Sequence, residues 1–308
     1  MSALVVTVGG MNPVDWPFRG PEAVSDGTLT FRELRRFNRA IYPAVWIPRD
    51  TALSPQELAR AAWLWSDRRG VVSGLSASAL LGAKWIDAGE RAEIIHSNRR
   101  PPAGLIVRSD TLAPGETTEV SGMQVTNPAR TAFDLGRRLK LRAGVQRVDA
   151  LISATRVQVA DVHAVARQHP GARGLRQLRE TLDIVDGGSE SPYESLTRLV
   201  LVRAGFPRPV TQIRVYDRYG IALARLDMGW PEYRIAVEFD GAQHWTDPEQ
   251  RDRDIERHAA LEAQRWIVIR ISAGLLHTHR GAFLDRVHAA LLSRGCPPFE
   301  YSGDDCRY

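Results

Sequence analysis

The sequence predicts a mixed α/β (α+β) protein in two parts, and three observations lead there. Residues 191–292 run helix, three strands, helix, strand, helix, the order of one mixed sheet with helices packed on it. Residues 28–183 alternate helical patterns with short strand candidates. Between them, Val185-Asp186-Gly187-Gly188-Ser189-Glu190-Ser191-Pro192 is a small-residue stretch that interrupts both patterns, and it divides the chain into 1–187 and 188–308.

With 308 residues, 44% hydrophobic and 25% charged, each part is long enough to bury a core, and wholesale disorder or a disulfide scaffold is excluded. The two cysteines, Cys296 and Cys306, lack zinc spacing and fit a reducing compartment. No basic leader opens the chain, and no run approaches the roughly 18 apolar residues of a spanning helix. A cytoplasmic protein without a membrane partner is expected. Residues 1–190 carry 25 Lys+Arg against 20 Asp+Glu, and 191–308 carry 16 of each, so the whole excess of +5 lies in the first part. Such a balance is compatible with nucleic acid without requiring it.

In chain order, residues 28–36 read as a helix with Thr30 and Glu33 at capping-box spacing, and Arg32, Arg35, Arg36 and Arg39 recur every three or four residues, so they could line one face. Residues 41–48 read as an edge strand, because Pro43 and Pro48 are tolerated only there. Ser54-Pro55-Gln56-Glu57 starts a second helix, and 75–81 a third. Residues 93–96, 105–108 and 122–125 are strand candidates. Helices follow at 127–135, 142–154, 159–168 and 173–183. In the second part a helix covers 191–204, strands cover 211–216, 221–228, 233–239 and 266–271, and helices cover 247–264 and 281–292.

The sharpest chemistry lies on these strands. Side chains alternate along a strand, so Glu238 and Asp240 share one face of Val237-Glu238-Phe239-Asp240-Gly241. Asp227 joins them if its strand pairs as a hairpin through residues 229–232. Converging carboxylates suit Mg²⁺ or Mn²⁺, and Gln243 and His244 follow with a carbonyl and an imidazole. The same alternation also describes a solvated strand face with no function. On spacing alone Glu194 is a helix cap, since Ser191-Pro192-Tyr193-Glu194 repeats the pattern of Ser54-Pro55-Gln56-Glu57. His277 and His279 lack further zinc-spaced ligands and read as surface histidines.

The series Asp227, Val237-Glu238-Phe239-Asp240-Gly241-Ala242-Gln243-His244, Asp254-x-x-Arg257-x-x-x-Leu261 and Arg265-Trp266-Ile267-Val268-Ile269-Arg270-Ile271 resembles domain of unknown function 559. That family is related to very-short-patch repair endonucleases in the PD-(D/E)XK superfamily, and the resemblance covers about residues 188–290. It implies a restriction-endonuclease-like mixed sheet with flanking helices, and a metal-dependent endonuclease acting on nucleic acid, with DNA the expected form. By this resemblance Asp227, Glu238 and Glu194 hold the metal, and Asp240 stands where many members place lysine. His244 becomes a proton carrier beside Gln243. Arg257 pairs with Asp254 or orients the strand ends, and Arg270 faces the backbone. No lysine follows Lys140, so the superfamily lysine has no replacement.

The first part is similar to antitoxins of the AbiEi type, through Arg39-Ala40-Ile41-Tyr42-Pro43-Ala44-Val45-Trp46-Ile47-Pro48 and Val125-Thr126-Asn127-Pro128-Ala129-Arg130-Thr131-Ala132-Phe133-Asp134. This resemblance implies a winged-helix-like module at 29–48 followed by a mixed domain, with Arg32, Arg35, Arg36 and Arg39 on DNA phosphates. An ordinary solvated helix face is the alternative for those arginines. For the whole chain, a metal-dependent nuclease stands against a non-enzymatic DNA-binding regulator that keeps the nuclease fold as scaffold, or an interaction module.

Overall fold

The computed structural model describes residues 15–98, 100–241 and 248–302, the side chains of 248–253 excepted. They form two compact units, Met1–Leu135 with Val157–Ala172 and Gly136–Arg156 with Arg173–Tyr308.

The first unit opens with β1 (Phe18–Arg19), α1 (Gly20–Ser25), α2 (Phe31–Phe37), β2 (Asn38–Tyr42) and β3 (Val45–Pro48), in an antiparallel sheet of order β1-β3-β2. The capping box of Thr30 and Glu33 is fully formed. The helix ends at Phe37, one residue beyond the expected end at 36, and leaves Arg39 outside it. Arg49 donates from Nε to the Arg36 carbonyl at 2.9 Å and from Nη2 to the Arg35 carbonyl at 2.6 Å, satisfying acceptors that a continuing helix would have used. Arg39 therefore lies on β2 and not on the helix. The single edge strand expected at 41–48 is instead the end of β2, a turn at Pro43-Ala44 with Ala44 at φ 65, and β3, which is the central strand of this sheet and not an edge.

Next come α3 (Pro55–Trp65), β4 (Val71–Val72), α4 (Gly74–Leu80), β5 (Ala92–Ile95), β6 (Leu105–Arg108), β7 (Thr117–Val120) and β8 (Met123–Thr126). The five strands form a sheet of order β6-β5-β4-β8-β7, with Ile94 packed against Ala61 and Ala62, and Val72 and Val125 against Ala59 and Ala77. After α5 (Pro128–Arg138) and α6 (Leu141–Thr155), α7 (Val159–Gln168) returns to the first unit. Arg130 on α5 is buried, donating to Glu116 at 2.5 Å, the Thr111 carbonyl at 2.9 Å and Asp134 at 3.0 Å, while His169 bonds the other Glu116 oxygen at 2.6 Å.

The second unit adds α8 (Leu175–Leu182), α9 (Pro192–Arg203), β9 (Val210–Tyr216), β10 (Ala222–Trp230), β11 (Ile235–Phe239), α10 (Pro248–Ala263), β12 (Ile267–Ile271), α11 (Ala273–Thr278) and α12 (Arg280–Ser293). Its sheet has the order β12-β11-β10-β9, parallel between β11 and β12 and antiparallel elsewhere. Helix α9 is buried from Glu194 through Leu201, including Arg198, which Asp149, Ser189 and the Ile184 carbonyl hold. Leu261 of α10 packs on Ile213, Leu226 and Ala236, and α12 buries Phe283, Leu284, Val287 and Leu291. The mixed sheet with flanking helices is thus the fold expected of the C-terminal part. Among the described residues no helix is long and apolar enough to cross a membrane.

Candidate functional site

The site begins with a hairpin. Trp230 pairs with Ile235, Gly229 with Ala236 and Met228 with Val237, and the same register carried one residue further sets Asp227 opposite Glu238. Directly opposed residues of an antiparallel pair share a face, so two carboxylates meet where like charges cost stability. Asp227 Oδ2 accepts the Phe239 backbone N–H at 2.8 Å, which fixes this acid to the far strand.

Glu238, only 8% exposed, is flanked by cations. The parallel register places it beside Arg270 of β12. Arg257 of α10 grips both of its oxygens, with Nη1 donating to Oε1 at 2.8 Å and Nη2 donating to Oε1 at 2.9 Å and to Oε2 at 2.8 Å. Arg257 therefore serves Glu238, where a pairing with Asp254 had been one expectation. Arg270 donates to His258 Nε2, and no motif or spacing in the sequence singles out that histidine. Burial, then the charges of Arg270 and Arg257, hold the His258 imidazole below its ordinary value, which keeps that ring a neutral acceptor.

Glu194 comes from α9 and is 7% exposed. Ser191 Oγ accepts its N–H at 3.1 Å, as a cap should. The reciprocal bond is missing from its pattern, however. Glu57 turns its carboxylate back to the Ser54 N–H at 2.7 Å, whereas Glu194 Oε2 accepts from the Glu190 N–H at 2.8 Å and from Gln212 Nε2 at 3.4 Å. The reading of Glu194 as a simple cap is thus half right: its backbone is capped by Ser191, while its carboxylate, still touched by the Ser191 side chain, accepts from Glu190 and Gln212 instead of from the Ser191 N–H.

All three acids hold their protons longer than ordinary carboxyls. Burial pushes Glu194 up to about 7, with the Asp227 charge adding to it against the bond from Glu190. Burial likewise raises Asp227, against the Phe239 N–H and the charges of Arg257 and Arg225. Burial raises Glu238, opposed by Arg257 and reinforced by Asp227. Asp227 is the middle of the cluster, since it acts on both neighbours.

Asp240 lies just beyond β11, its N–H donating to the Ile271 carbonyl at 2.9 Å. Gln243 and His244 lie outside the described residues. His277 is exposed on α11 with its ring edge-on to that of Tyr193, the centroids 6.3 Å apart, and exposed His279 separates α11 from α12. On α2, Arg32, Arg35 and Arg36 are exposed, with Arg35 over the Phe31 ring and Arg36 over Phe37. Arg39 spends its guanidinium on the carbonyls of Arg49 and Thr51, at 3.1 and 3.0 Å.

The donor set suits a hard divalent cation in kind, being buried carboxylates, but Arg257 already supplies counter-charge to Glu238. Among the described residues, no three His, Cys, Asp or Glu side chains stand together as a group that could hold one ion. The reason is local. Glu238 already has Arg257 as its bidentate partner, and Glu194 reaches the cluster only through Asp227.

Residues 200–291 match the restriction-endonuclease-like family model REase_MTES_1575, and residues 70–184 match the AbiEi antitoxin C-terminal domain. Two uncharacterized proteins of Mycobacterium tuberculosis, one each from strains CDC 1551 and H37Rv, are 30% identical to the chain over 188 residues, which is 61% of this chain and 68% of theirs. No solved structure is a significant match to the chain.

Proposed function

We propose that this chain, which belongs to the family of those mycobacterial proteins, is a nucleic-acid phosphodiesterase of the metal-dependent endonuclease type, with DNA as its partner. The carrying observation is the trio Glu194, Asp227 and Glu238: burial raises the pKa of all three and the Asp227 charge adds to it at the other two, an arrangement that weakens a fold and concentrates at functional sites. In this reading residues 188–308 form the nuclease-like domain and residues 1–187 the AbiEi-like region with its winged-helix-like start.

By the resemblance, Asp227 and Glu238 with Glu194 drawn in beside them would hold Mg²⁺ or Mn²⁺, which requires Arg257 to release Glu238; bound there, the ion would polarise a phosphoryl oxygen and acidify an attacking water. The chain's own groups then have distinct tasks. The Phe239 N–H holds Asp227 in place. Glu194, near half-protonated at neutral pH, can store a proton at the cluster's edge. Arg257 and Arg270 supply positive charge for the phosphate, and Asp240, Gln243 and His244 continue the strand end, with His244 as proton carrier in place of the missing lysine. Arg32, Arg35 and Arg36 of α2 approach the DNA backbone, while Arg39 braces the hairpin behind them.

A second reading is favoured by one observation. Arg257 already neutralises Glu238, as a scaffold would need, so an antitoxin-like DNA-binding regulator that never takes a metal is the rival. Thermal unfolding of wild type and Asp227→Ala, with and without Mn²⁺, separates them. The phosphodiesterase reading expects Mn²⁺ to stabilise the wild type by mass action, with most of that response lost in Asp227→Ala. A wild type that ignores millimolar Mn²⁺ yet binds DNA in chelator, with steep loss of affinity in salt, supports the regulator.

A further inference from the structure

We propose that the β9–β10 hairpin is a separate nucleic-acid-binding ribbon of the second unit, and that it takes a single strand, or an unpaired stretch, leading to the carboxylate cluster. This rests on the reading of the cluster as a nucleic-acid site and names the form of nucleic acid that reaches it.

Strand β9 is the edge of its sheet. Its register sets Arg214 directly opposite Arg225 of β10, and both side chains are exposed. Two arginines at one cross-strand position repel, a cost that an anion lying over both would remove. Arg225 has an ion pair with Glu190 at 2.6 Å, but both side chains of that pair are half exposed, so a phosphate can exchange for the carboxylate at little cost. Arg214 has no acidic partner among the described residues. Charged residues also protect sheet edges from pairing with other chains. Edge protection accounts for the arginines alone. It does not account for the apolar surface that accompanies them.

That surface is at the tip. Tyr219 is 72% exposed, Ile221 62% and Tyr216 46%, and the Arg218 guanidinium lies 4.7 Å from the centroid of the Tyr219 ring. The tip is also rigidly built. Asp217 Oδ1 accepts the N–H groups of both Tyr219 and Ile221 at 2.8 Å, and the Asp217 N–H donates to the Ile221 carbonyl at 2.8 Å. Gln264 Nε2 anchors the end of β9 by donating to the Tyr216 carbonyl at 2.7 Å. Aromatic rings are thus presented on a fixed turn between arginines, which is the combination that binds a single strand: rings stack on bases while guanidinium groups take phosphates. A duplex hides its base faces and would use only the arginines. The direction of the ribbon follows from sequence. Arg225 lies two residues before Asp227 on the same strand, and its charge is felt at that carboxylate.

The test uses the full chain in chelator, with a fluorescein-labelled oligothymidylate of about 16 nucleotides and a duplex of the same length. Tyr219→Ala should weaken single-strand binding at least about fivefold, the low end of one lost base stack, and duplex binding much less. Arg214→Ala should lower the slope of log affinity against log salt by about 0.7 on the single strand. Both residues are exposed, so unchanged melting temperatures should show that the variants fold. If the wild type binds the oligothymidylate and both variants match it, the ribbon is wrong while the nucleic-acid reading stands. Equal loss on duplex and single strand overturns the single-strand assignment. A wild type that binds neither probe in chelator overturns the ribbon, whose rings and arginines need no metal, while the metal-dependent reading is decided by the Mn²⁺ response of the carboxylate cluster.

Discussion

Replacing Glu194 by Gln isolates the cost of keeping an acid in this place. Burial, aided by Asp227, raises the Glu194 carboxyl from 4.5 to about 7. At about 1.4 kcal/mol per pH unit, ionising it in the folded protein costs about 3 kcal/mol more than in the unfolded chain. Below pH 4.5 both states hold the proton and the cost is absent. Between 4.5 and about 7 the folded state binds more proton than the unfolded one, so stability falls as pH rises, and above 7 the full cost is present. Glutamine keeps a carbonyl oxygen for the Glu190 N–H and cannot ionise. Glu194→Gln should therefore match the wild type in urea unfolding near pH 4.5 and exceed it by up to about 3 kcal/mol at pH 8. In thermal melts that is several degrees for a unit of this size. A difference that is the same at both pH values, or a glutamine variant less stable at pH 8, would refute the assigned burial and its coupling to Asp227.

Two further outcomes follow from the same hairpin. Arg257→Ala leaves Glu238 buried without its bidentate partner, and should destabilise the second unit by about 3–5 kcal/mol at pH 8 in urea unfolding. The loss should shrink toward pH 5, because Glu238 can then take up a proton. Gly229→Ala would place a Cβ 2.1 Å from the Ile235 carbonyl oxygen and 2.7 Å from the Ala236 Cα, backbone atoms of the paired strand that cannot swing aside. It should cost the upper part of the usual range of about 1–3 kcal/mol for overpacking, whereas Gly281→Ala, whose Cβ meets nothing within 4 Å, should cost nothing measurable in the same melts.

Much of the fold could be read from local pattern where local pattern and burial agree. The strands around 211–216, 221–228, 233–239 and 266–271 are apolar-rich runs between turn residues, the last strongly β-branched, and each appears in the sheet within two residues of its expected ends. Strands β4 and β7 escaped because neither carries a pattern: one is two residues long, and Thr117-Thr118-Glu119-Val120 has a single apolar member. The arginine repeat from Arg32 to Arg39 misled in the opposite way. Spacing of three and four residues continues across the end of α2, but Arg49, distant in sequence from the capping box, terminates the helix through two carbonyls.

The site was legible to the extent that it depends on strand alternation, and opaque where it depends on competition between partners. The hairpin register sets Asp227 against Glu238, and that needed only the pattern and the turn. Glu194 could not be separated from Glu57 by letters, because both follow a capping serine by three residues. What separates them is tertiary: Glu190 and Gln212 offer donors to the Glu194 carboxylate, and Gln212 does so from a left-handed backbone at φ 53. Arg257 shows the energetics most plainly. A pair with Asp254 three residues earlier on the same helix would contribute only about 0.2–0.5 kcal/mol. Leaving Glu238 buried without a cation would cost several kcal/mol. The buried charge outweighs the surface pair, so the guanidinium turns inward to a strand nineteen residues away, and helical spacing is the wrong guide wherever a buried charge waits within reach.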